Sequence, residues 1–174
     1  MLVRLSTASA AICLLSGAAS AQGAAKPTDP QIAHIAYTAG QLDMAAAEQA
    51  LTKSTNEDVR AFADDMVRDH TAVNKQALDL VAKLKVTPED NDTSRALTKR
   101  AADTRAELAK LNGAAFDKAY VANEVAYHKT VNGAIETTLI PSASNPDLKS
   151  LLQTGLKIFQ GHEQHAEHVA AALK

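Results

Sequence analysis

Apolar residues recur along this chain at alternating steps of three and four, the spacing of helices that bury one face. The clearest stripe is Val59, Ala63, Met66, His70, Val73, Ala77, Leu80 and Leu84. It predicts a helix over residues 57–85, capped by Asn56 with Glu57 and Asp58 behind it. Upstream, Asp29-Pro30 reads as an N-cap followed by proline at the first helical position. Ile32, Ile35, Ala36, Ala39, Asp43, Ala46 and Ala50 then trace one face of a helix over residues 30–53. After a polar turn containing Pro88, Leu97, Ala101, Leu108 and Leu111 mark a shorter helix over 93–111, ended or kinked at Asn112-Gly113. Phe116, Tyr120, Val121, Glu124, His128, Val131 and Ile135 predict a long helix over 114–139. Pro141 and Pro146 bracket a loop, and Leu148, Leu151, Leu152, Gly155, Ile158, Phe159, His162, His165 and Val169 mark the inner side of a last helix over 147–173. The pattern predicts an all-α bundle of four long helices with one extra, shorter crossover helix.

Four polar residues interrupt these stripes: Asp43, His70, His128 and His162, one on each long helix. At about 1.5 Å of rise per residue, Asp43 lies about 18 Å before the first hairpin turn and His70 about 22 Å after it. The same rise puts His128 about 24 Å before the second turn and His162 about 27 Å after it. If the hairpins pack side by side, all four meet mid-bundle. Glu124, one turn before His128, points the same way. Imidazole and carboxylate together suit zinc, iron, manganese or copper(II) and do not choose among them. The same residues also suit a metal-free hydrogen-bonded network that fixes helix register.

Weaker candidates surround this set. Asp69 is placed to orient His70 or a neighbouring ligand, and His165 to turn inward from the last helix. In an antiparallel bundle His34 would lie near His165 and His168 and form a surface metal site with them. Met44 and Met66 read as core filler rather than copper ligands. Tyr120 and Tyr127 flank the Glu124–His128 turn, in reach of the acids. The chain carries no phosphate loop, nucleophile elbow or zinc-protease helix motif, which favours a binding protein over an enzyme. Oxidation chemistry at an iron or manganese centre ranks third, behind metal binding and a purely structural or interaction role.

Composition narrows the setting. Seven Gly, five Pro and no Trp in an Ala-rich chain favour helix over strand. Arg4, an apolar run from Ala8 to Leu15, and Ala19-Ser20-Ala21 match a secretory signal peptide over residues 1–21, with 22–28 a linker and 29–174 the folded domain. That run is too short to span a bilayer, and no second long apolar segment follows. Cleavage would remove Cys13, leaving no thiolate chemistry, and would place the protein in the periplasm or outside the cell. The formal charge of −2, less the single positive charge of Arg4, gives about −3 for the mature chain. Both signs are interspersed, so no basic face invites nucleic acid.

The residues Arg60-Ala61-Phe62-Ala63-Asp64-Asp65-Met66-Val67-Arg68-Asp69-His70 resemble the K-x-F-A-x-x-M-V-x-D-H stretch of the domain of unknown function 4142 family. Gly113-Ala114-Ala115-Phe116-Asp117-Lys118-Ala119-Tyr120 resembles its G-x-x-F-D-x-x-Y stretch. His128 and His162 match its later histidines, and Asp43 falls where the family carries an acid. The resemblance implies a secreted bacterial protein with a ferritin-like four-helix bundle. The sequence departs from the di-iron pattern of such bundles, which places a Glu on two helices and Glu-x-x-His on the other two. Here Glu124 precedes His128 by four residues and His70 follows Asp69 directly.

Overall fold

Thr28, rather than Asp29, begins the first helix: its backbone N–H donates to Gln31 Oε1 at 3.1 Å, and α1 runs Asp29–Lys53. Asp29 is spent elsewhere. Its carboxylate accepts the backbone N–H groups of Ser144 and Asn145 at 2.8 and 2.9 Å, tying the start of α1 to the start of the last helix. These positions come from a computed structural model that describes residues 26–173. The expected leader over 1–21, with Cys13, and most of the 22–28 linker lie outside the described residues.

The remaining helices start where capping chemistry places them. Asn56 Oδ1 accepts from the Val59 N–H at the head of α2 (Glu57–Leu84). Asn91 and Ser94 cap each other's backbone at the head of α3 (Asp92–Ala109). Asn145 accepts from Asp147 and Leu148, with Pro146 at the first position of α6 (Pro146–Ala172). Between them, α4 (Gly113–Ala134) passes without a break into a π-helical segment, Ile135–Leu139, and the short α5, Ile140–Ser142. The loop expected to begin at Pro141 is thus confined to residues 143–145.

The described residues are all-helical, without a strand. The direction of each helix follows from the bonds between them. Asp69–His162 and Lys83–Asp147 set α2 antiparallel to α6. Asn132 donates to the Phe159 carbonyl and to Glu163, setting α4 antiparallel to α6. The Tyr127 hydroxyl donates to the Ala39 carbonyl and joins α4 to α1. Consequently α2 and α4 run the same way, and the chain must return the length of the molecule between them. α3 makes that return along α1: Asn91 reaches the Gln31 carbonyl at one end, and Gln49 and Lys53 reach the Arg105 and Ala109 carbonyls at the other.

Two apolar clusters fill the interior. One joins Ala47, Val59, Phe62, Met66, Phe116 and Tyr120; the other joins Ile32, Ile35, Ile135, Leu139, Leu148 and Leu152. Between them lies a layer of polar side chains. The α1 stripe is buried as expected except for half-buried Ala36, and Ala33, Gly40 and Ala47 are buried too, since α2, α3 and α4 all pack on α1. The α2 stripe holds through His70. Beyond it Val73, Ala77, Leu80 and Leu84 are half-buried, while Asn74 is buried. Asn74 lies against Gly40, where a Cβ would come within 2.5 Å of its oxygen.

Candidate metal centre

α1 supplies Asp43, α2 His70, α4 both Glu124 and His128, and α6 His162. All five are 6 % exposed or less and meet in the polar layer. One donor atom from each of His70, His128 and His162 lies within 4.8 Å of the others, and the same holds for Asp43, Glu124 and His128. His70 Nε2 lies 2.5 Å from Asp43 Oδ2. His128 Nε2 lies 3.7 Å from the same oxygen.

Neighbours fix which nitrogen faces inward. The His128 Nδ1–H donates to the Glu124 carbonyl at 3.0 Å, leaving the Nε2 lone pair toward Asp43. The His162 Nε2–H donates to Asp69 at 3.0 Å, leaving Nδ1 inward. Asp69 is itself gripped by Arg68 at 2.7 and 3.0 Å, and Arg68 also holds Asp65. This carboxylate behind an imidazole is the arrangement that orients metal-bound histidines. Asp69 therefore serves His162, not its chain neighbour His70.

Several inner nitrogens are left without partners. His70 Nδ1, His128 Nε2 and His162 Nδ1 are buried and make no hydrogen bond among the described residues, whereas the Asp43 carboxylate is met by His70 Nε2 and lies beside Glu124. Each such orphan costs about 1–3 kcal/mol. These buried histidines and acids form groups that could hold a metal ion. A cleft of about 120 Å³ between α1, α3 and α4 reaches Asp43 and Glu124 from outside.

A family model for a domain of unknown function, DUF4142, matches residues 14–169. The chain belongs to the DUF4142 family. No curated protein and no solved structure is significantly similar to it.

The electrostatics of this DUF4142 core separate its two acids. Burial alone would raise the Asp43 carboxyl, but the imidazoles of His70 and His128 outweigh it and hold it well below the usual carboxylate range. Burial and then the charge of Asp43 push Glu124 well above its ordinary value, so Glu124 keeps a proton. Burial lowers His128 and takes His162 down to about 4, against the pull of Asp43 on the first and of Asp69 on the second. At neutral pH the Asp43 charge therefore lies in one layer with the neutral imidazoles of His128 and His162.

Other sequence candidates fall outside the cluster. His165 is half-exposed, edge-on to Phe62 at 5.2 Å and 3.6 Å from Asp65. His34 sits by Thr38 near the start of α1. Because α1 and α6 begin side by side, His34 lies at the opposite end from His165 and His168, and the disfavoured surface site of those three does not form. Tyr127 bonds the Ala39 carbonyl rather than an acid, and the Tyr120 hydroxyl is buried without a bond. Met44 accepts from Thr71, and Met66 lies in an apolar cluster. Sequence reading missed Asn123, which donates to Glu124 Oε1 at 3.1 Å, and the role of Phe159, whose ring stacks on His70 at 4.6 Å. Phe159 carried a signal, standing three residues before His162 on the same stripe.

Proposed function

We propose that the chain binds a single transition-metal ion through His70, His128, His162 and Asp43, with Glu124 beside it, in the centre of a ferritin-like four-helix bundle. The observation that carries this is the convergence of buried imidazole and carboxylate donor atoms around His128, one from each residue and within 4.8 Å of one another in each group. A metal-free network accounts for the Asp43–His70 pair but leaves His128 Nε2 and His162 Nδ1 without a use; an ion would take both lone pairs together. The two donor groups share His128, and His128 has only one nitrogen free. That favours one ion over two, in keeping with the missing Glu-x-x-His motifs. Parallel α2 and α4 joined by a long return along α3 supports the ferritin-like reading, since such bundles carry one long crossover.

Nitrogen and oxygen donors without sulfur fit zinc, iron, manganese or copper(II). With export expected from residues 1–21, the setting is the periplasm or the cell exterior, and the role metal or stress handling there. No described helix is long and apolar enough to cross a membrane. Calorimetric titration of stripped protein with the four metals tests the reading. One of them should bind at one ion per chain, tighter than about 10 μM or about −7 kcal/mol, and His128→Ala should abolish it. At 100 times its dissociation constant that metal should stabilise the wild type by about 2.7 kcal/mol and leave the variant unchanged. No metal tighter than about 10 μM would contradict the proposal.

A further inference from the structure

On the side of the polar layer nearer the start of α1, the four long helices leave a cavity of about 70 Å³. Ala36, Ala77, Val131 and Leu152 line it, and His70, His128 and the Phe159 ring also border it. The π-helical segment adds Ile135 and Leu139 to the wall. π turns are rare and recur at functional sites. Gly155 also borders the space, and a Cβ there would come within 3.3 Å of the Phe159 ring. Its absence leaves room for that ring to lie parallel to His70, 9° between their planes.

Size and polarity select the occupant. An aliphatic cavity of about 150 Å³ stays dry and takes benzene. Half that volume is too small for a ring but holds a xenon atom or a diatomic molecule. Water needs two to four polar partners; Asn74, His70, His128 and Tyr127 border the space, the Tyr127 hydroxyl being taken by Ala39, and the rest of the wall is aliphatic or aromatic. Charged or hydrogen-bonding ligands are disfavoured for the same reason.

We infer that this cavity binds a small apolar diatomic gas, of the dioxygen and nitric oxide class, and holds it against the His70–His128 face of the donor cluster. Delivery from there to an ion rests on the metal reading above; occupancy of the cavity does not.

Xenon pressurisation of crystals of the metal-free chain tests occupancy. A xenon peak is expected in the cavity of the wild type and absent from Ala77→Leu and Ala36→Leu, two substitutions on different helices that fill it without touching a donor. No xenon in the wild type, or equal peaks in both variants, overturns the gas site. Nitric oxide added to the iron(II)-loaded chain tests delivery, read by the spin-resonance signal of the iron–nitrosyl. Filling the cavity should slow its appearance about tenfold or more at equal iron content. An unchanged rate overturns delivery. A chain that takes xenon but no iron overturns the metal reading and delivery with it, and upholds the gas site.

Discussion

His162 is held from outside and left open inside. Its outer nitrogen is bonded to Asp69, and Arg68 fixes Asp69 in turn. Removing such an outer carboxylate weakens metal binding by about 10- to 100-fold without removing a ligand. Asp69→Ala should show that loss by titration, with helicity unchanged; affinity equal to wild type would mean that His162 is not a ligand. The pH response of the metal-free protein follows from the same residue. His162 titrates near 4 when folded and near 6.5 when unfolded, so between these values the unfolded chain binds more protons. Stability should therefore fall as pH drops from 6.5 toward 4, with lowered His128 adding to the slope. Raised Glu124 acts oppositely, favouring the fold as pH falls toward 4.5. His162→Gln should flatten the slope in a series of melting curves, and an unaltered slope would contradict the assignment. All five residues of the buried cluster were legible in the sequence as polar residues on apolar stripes. The partners that choose a nitrogen or hold a ring, such as Asn123 and Phe159, were not, because they depend on side-chain directions that spacing does not give.

At the scale of the helix, burial separates residues that hold the fold from those that do not. Met66 and Ile135 are buried on the inner faces of α2 and the π segment, while Leu78 is 46 % exposed. Met66→Ala and Ile135→Ala should each cost about 2–5 kcal/mol, and Leu78→Ala no more than about 0.5 kcal/mol. Denaturant midpoints check this; equal losses at Leu78 and Met66 would put the core on the wrong face. Each long helix announced itself through its stripe, and α2 through its Asn56 cap as well, with ends displaced by up to three residues. Two local features did not. Asp29 looked like a cap, but its carboxylate serves the backbone at Ser144 and Asn145, far along the chain. The run from Ile135 through Ser142 stays helical past the expected stop, passing through a π-helical segment that spacing does not announce.

At the scale of the molecule, two apolar clusters clamp one polar layer, and the layer is where all four long helices contribute. The relative direction of α1 and α6 could not be read from spacing, and assuming them antiparallel wrongly brought His34 to His165 and His168. The relative depth of Asp43, His70, His128 and His162 could be read, since it needs only helical rise and two turn positions. The central claim is that these residues close on one ion. An anomalous-difference map of metal-loaded crystals, recorded at the absorption edge of the bound metal, tests it most directly. The account predicts one peak per chain, in bonding distance of His70, His128, His162 and Asp43. A metal-loaded crystal with no peak among them, or with its only peak at surface residues, would contradict it.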